Sequence, residues 1–252
     1  MKGFIVDVES KHMTDGSSAV FSVSMMFFEF TVRKQWKSRG RGFDPEYQTS
    51  IQTRYEPLQT IFIAEALQDP CVSEDVTVVR KLGQTIVDTV RVGGTVISLP
   101  FSVALKHMMT TMKDSTWFGH SIDRDIQFLV DTDERYKTRM FRKDPSAYPE
   151  SCCVFPEWPG IAKVCTQQIL TRRCPKFIEK YIKAGGSSAR LAELVTYVTG
   201  RTQHHTSAQD VIDTASVVQK AFEDDRFQIE TGKSYMTCIP LRTSLLLNQG
   251  PS

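Results

Sequence analysis

The chain's 252 residues are 40% hydrophobic and 24% charged, an ordinary mix for a soluble globular protein and enough to bury the core of one domain. No apolar run reaches the ~18 residues of a membrane span, and Asp7 interrupts the N-terminal apolar stretch before a secretory h-region of ~7–15 residues can form. The expectation is an intracellular protein, cytoplasmic or nuclear, with no membrane partner; a net charge of +2 neither announces a nucleic-acid binder nor excludes one.

Gly3–Glu9 is dense in Phe, Ile and Val and predicts a strand buried on both faces of a sheet. Residues 14–18 form a turn by composition, and Ala19–Val32 suits the next strand or a pair of strands. A basic loop is expected next, with Arg33, Lys34, Lys37, Arg39 and Arg41 around Trp36 and Phe43, a pattern that can track a phosphate backbone or simply be solvated. A strand is expected near Ser50–Tyr55, then helices over Asp75–Val87 and Ser102–Met112. Ser115–His120 reads as a short strand and Asp123–Arg135 as a helix. Residues 136–160 hold four prolines without periodicity and read as an irregular insertion. Lys163–Gln167 is a strand candidate, Ser188 an N-cap for a helix over Ala189–Val198, and Gly200 its stop. A last helix runs from about Ser207 to Asp224, so a single domain occupies residues 1–229 and a tail of undefined role occupies 230–252. Strands followed by alternating helices and strands give an α/β fold, a mixed sheet flanked by helices. Trp117, Phe118, Met25, Met26, Phe27 and Phe28 are assigned to its core.

The six cysteines, at positions 71, 152, 153, 165, 174 and 238, form no C-x-x-C pair and have no histidine at zinc-finger spacing, which favours free thiols.

Three acidic segments carry the chemistry. Asp7 and Glu9 stand two apart on a strand, so both point to one face. Side by side they repel and lose hydration, and a divalent cation relieves both costs; two solvated acids at a strand end are the simpler alternative. Asp125 opens a helix, where the dipole favours its charge, with Phe128 and Leu129 one turn on as core anchors; Asp123 competes for the same role. His204 and His205 precede the last helix, which carries Asp210; either imidazole suits general-base work, and Ser207-x-x-Asp210 also reads as a capping box.

In this order the motifs resemble the DEDDh (DnaQ-like) 3′→5′ exonucleases of the ribonuclease-H-like superfamily. The first motif there is an apolar strand ending in D-x-E, here Phe4-Ile-Val-Asp7-Val-Glu9. The second is G-H-N-x-x-x-D-x-x-F-L, with Gly119, His120, Asp125, Phe128 and Leu129 in register, which selects Asp125 over Asp123. The third is H-x-x-x-x-D, which selects His205 with Asp210. Ser121 replaces the family's usual Asn, and Ser10 is followed by Lys11 and His12 rather than by Thr-Gly. The resemblance spans residues 3–224 and is loose from 33 to 110.

It implies a five-stranded mixed sheet and two magnesium ions, with manganese a substitute, held by Asp7, Glu9, Asp125 and Asp210. It implies that His205 is the general base for water, and that 5′-mononucleotides leave the 3′ ends of single-stranded DNA or RNA. The other reading is a non-catalytic nucleic-acid-binding or scaffold protein of the same fold.

Overall fold

In the computed structural model, which describes residues 2–37, 46–68, 75–143 and 162–230, the chain builds a mixed seven-stranded sheet flanked by helices. Strands β1 (Lys2–His12), β2 (Ser18–Lys37), β3 (Glu46–Tyr55) and β4 (Gln59–Ile63) come first. Helices α1 (Ala64–Gln68) and α2 (Asp75–Arg91) lead to β5 (Thr95–Leu99), and α3 (Phe101–Thr111) leads to β6 (Trp117–Gly119). Then follow α4 (Ile122–Lys143), β7 (Lys163–Cys165), α5 (Thr166–Arg173), α6 (Pro175–Lys183), α7 (Leu191–Thr199) and α8 (Ser207–Glu230). The sheet order is β5-β4-β2-β1-β6-β7, with β3 paired to the outer part of β2. β1 runs antiparallel to β2 and parallel to β6; the outer pairs β4–β5 and β6–β7 are parallel.

β1 is central because its apolar residues serve both faces: Ile5 and Val6 are each 1% exposed. Val6, Val8 and Trp117 pack with Leu105 of α3 and Ile122, Ile126 and Leu129 of α4. On the opposite face Ile5, Phe28 and Phe118 pack with Ala208, Val211, Ala215 and Val218 of α8. Adjacent Trp117 and Phe118 thus anchor opposite faces, each contributing on the order of 3–5 kcal/mol by the usual cost of truncating a buried aromatic. A third cluster joins α5, α6 and α7 to α8 through Leu170, Phe177, Leu194 and Val217.

Several expectations change. The sheet has seven strands, not five: Gln59–Ile63 and Thr95–Leu99 are five-residue runs, too short for periodicity to separate strand from helix. The basic stretch is not a loop as far as Lys37, because β2 continues and pairs with β3 up to Lys37↔Glu46. Arg33, Lys34, Trp36 and Lys37 are therefore strand residues, while Arg39, Arg41 and Phe43 lie outside the described residues. The irregular insertion does not begin at 136: α4 runs on to Lys143, since buried Tyr136 still packs its ring on Phe101. Residues 144–160 and the tail beyond Glu230 lie outside the described residues, as do Cys71, Cys152, Cys153 and Cys238; Cys165 and Cys174 are free thiols. The strand at Lys163 stops at Cys165, and two helices, α5 and α6, occupy the stretch after it. Arg190 rather than Ser188 precedes α7, and Gly200 ends it in the left-handed conformation (φ 69°). No helix among the described residues is long and apolar enough to cross a membrane.

Candidate metal centre

Alternation along β1 puts Asp7 and Glu9 on the Ile5 face, the face α8 covers. A register shift between Glu9 and Ser10 marks a bulge directly after the pair, a device that re-aims a strand end. One carboxylate oxygen from each of Asp7, Glu9 and Asp210 lies within 4.8 Å of the others.

Asp125 arrives by a different route. β6 pairs with β1 in the register Ile5↔Phe118, so the next residue, Gly119, stands beside Val6. A Cβ at Gly119 would come within 2.9 Å of both the Val6 carbonyl oxygen and the Ile122 side chain; only glycine permits so close a turn into α4. Ser121 completes that turn at φ 74°, a conformation asparagine tolerates better, which gives a physical reason for Asn at the equivalent position of the second motif. Asp125 then sits in the first turn of α4, 7% exposed, and its Oδ2 has no hydrogen-bond partner. Its charge raises the Asp7 carboxyl, and that of Asp210 raises its own, so it lies near the other acids, outside the group of three oxygens within 4.8 Å. Asp123 points away, its largely exposed carboxylate paired with Lys163 at 2.6 Å.

At α8 the capping is not the expected one. Thr206 Oγ1 accepts the Gln209 backbone N–H at 3.2 Å and makes Thr206 the N-cap. Ser207 is instead buried, with its hydroxyl 3.0 and 2.9 Å from those of Ser22 and Ser24, which ties α8 to β2. Asp210 is thereby released from capping and faces inward, where Gln203 Nε2 donates to its Oδ1 at 2.5 Å. His205 is exposed on the preceding loop at φ 42°, and its charge reaches Glu9. His204 acts on Asp213 instead. Thr206 also donates to Asp88 Oδ2 at 3.0 Å, fastening the histidine loop to α2.

The electrostatics follow from burial and crowding. Burial, then the charges of Asp125, Asp210 and Glu9, holds the Asp7 carboxyl well above its ordinary range, with Lys81 opposing. Burial and the Asp210 charge push Asp125 to about 8. Burial pushes Asp210 to about 7 against the Gln203 hydrogen bond. Burial also raises Glu9, opposed by Lys81 Nζ, which donates to Glu9 Oε2 at 2.7 Å. Four carboxyl groups thus crowd together, with Lys81 opposing Asp7, Glu9 and Asp210 and with Arg124 opposing Asp125. An all-oxygen donor set under that repulsion, with one buried oxygen unpartnered, suits a hard divalent cation.

Lys81, Gln203 and Asp88 carry no signal in their local sequence; each enters the site through a contact between distant elements. No protein-family model matches the chain, and no curated protein matches it in sequence.

Proposed function

We propose that the chain is a ribonuclease-H-like, divalent-metal-dependent 3′→5′ exonuclease that releases 5′-mononucleotides from the ends of single-stranded DNA or RNA. The observation that carries this reading is the gathering of carboxylate oxygens of Asp7, Glu9 and Asp210 within 4.8 Å of one another, with buried Asp125, one oxygen unpartnered, near enough to raise the Asp7 carboxyl. The direction and the exonucleolytic mode come from the resemblance of the three motifs, in their order, to those of DEDDh exonucleases. A central β1 antiparallel to β2 and parallel to β6 is compatible with the ribonuclease-H-like arrangement.

In this reading Asp7, Glu9 and Asp210 hold one magnesium or manganese ion, and Asp7 with Asp125 a second. Bound there, the ions supply charge neutralisation and Lewis acidity to a phosphodiester. The chain's own groups do the rest. Asp7, whose carboxyl is raised by Asp125, Asp210 and Glu9 alike, would serve both sets. Burial of Asp125 keeps water off its side of the pocket. His205, at the rim, accepts the proton of the attacking water, and the Thr206–Asp88 bond fixes the loop that presents it.

The test is incubation with end-labelled DNA and RNA single strands in magnesium, then with chelator. Mononucleotides should appear, chelation should stop them, and Asp7→Ala should fold without activity. Release at the wild-type rate by Asp7→Ala, or none from either strand in magnesium or manganese, overturns the proposal. One observation favours the non-catalytic reading: Lys81 and Gln203 already engage Glu9 and Asp210 from within the chain. Strand binding without turnover in either metal would establish it.

A further inference from the structure

Beside the acidic centre lies a cleft of about 380 Å³ lined by Arg80, Lys81, Gln84, Gln203, His204 and His205, together with two threonines. No carboxylate among the described residues lines it, although Lys81 and Gln203 each touch one just behind the wall. Its volume falls in the ~300–1,000 Å³ range of small-ligand sites, room for one nucleotide. Arg80 and Lys81 belong to α2, within the stretch where the resemblance is loose, so this wall is not part of the three motifs. Arg80 is exposed and has no carboxylate partner among the described residues. Among the described residues the carboxylate that pairs with Lys81 is Glu9, one of the acids assigned to metal. A cation beside Glu9 takes over that neutralisation and leaves the ammonium free at the cleft wall, one flexible side chain away from an incoming anion.

We propose that Arg80 and Lys81 form a nucleotide-phosphate subsite of the acidic centre, in which Lys81 exchanges Glu9 for the phosphate once divalent cations are bound. The proposal rests on the metal-dependent reading above. Lys81 then links the two ligands. Without cations it shields Glu9 and competes with metal; with them it and Arg80 clamp the phosphate by charge-assisted hydrogen bonds.

The exchange gives Lys81 two effects of opposite sign, which a damaged fold cannot mimic. Manganese binding is followed by electron paramagnetic resonance, and binding of 5′-thymidine monophosphate in manganese by calorimetry, with thymidine as control. Lys81→Met should bind manganese several-fold more tightly, yet bind the monophosphate roughly tenfold or more weakly, the loss expected for a charged hydrogen bond. Arg80→Gln, at an exposed position, should weaken the monophosphate alone. The subsite is overturned if both variants bind the monophosphate like the wild type, if Lys81→Met loosens both ligands, or if thymidine binds as well as its phosphate. A wild-type protein that binds no manganese overturns the metal reading itself and this inference with it. A wild type that binds manganese while both variants keep monophosphate affinity overturns the subsite alone.

Discussion

Two buried aspartates of this molecule meet opposite fates. Asp225, on α8, is 4% exposed and accepts the backbone N–H groups of Lys176 and Phe177 at 3.0 Å each, closing the N-terminus of α6. Asp125 is 7% exposed, yet one of its oxygens has no partner, and the charges of Asp210 and Glu9, with burial, outweigh that of Arg124 and raise it. Around Asp225 the same economy recurs: the Ser188 hydroxyl and then the Tyr181 hydroxyl, both bonded to Glu193, draw that carboxyl down to about 2. At the α6–α8 junction every buried carboxylate has a cation or backbone donors on it: Lys180 and Lys220 pair with Asp224, although its Oδ2, like that of Asp125, has no hydrogen-bond partner. Under β1 the carboxyl groups instead raise one another's pKa despite Lys81 on Glu9, and in the proposed reading a metal ion relieves that crowding.

The sharpest way to break this contrast is Asp125→Asn. It should reduce the proposed nuclease activity by ~10²-fold, the loss that even an outer-shell partner of a metal can cause. The same variant should be no less stable than the wild type without metal at pH 8, because it removes a buried charge. A variant that keeps its activity places Asp125 outside the chemistry.

A second test uses pH. Asp125 and Asp210 titrate near 8 and 7 when folded, against an ordinary value of about 3.9 for an unfolded aspartate. The folded state therefore holds extra protons between about pH 4 and pH 8, and these two groups favour it fully only below about pH 4. Their contribution is lost as pH rises through 7 and 8. Melting temperature without metal should fall across that window, and manganese should raise it most at the alkaline end. A flat difference between the two curves would mean that the pocket does not couple protons to metal.

The smallest effect is expected on the other side of the comparison. Asp225→Ala should cost about 1–3 kcal/mol by orphaning two buried donors, seen as a lower denaturation midpoint. Strand hydrolysis per folded molecule should not change. If activity falls with it, the junction is part of the site and the division drawn here is wrong.

Sequence alone determined what lies within a short window. The apolar run of β1 sets a buried strand, its period of two sends Asp7 and Glu9 to one face, and the register of the resemblance prefers Asp125 to Asp123. Wherever an assignment needed a partner from elsewhere in the chain, tertiary structure decided it. β4 and β5 are strands because β2 and each other's edges recruit them. Thr206 caps α8 because Ser207 is drawn into the Ser22–Ser24 hydroxyl pair, and that frees Asp210. Lys81 reaches Glu9 across 72 positions of sequence only because α2 and β1 are folded against the same pocket. Periodicity and caps are written in neighbouring residues, whereas the balance of charge in a pocket depends on which distant side chains the sheet order brings to its mouth.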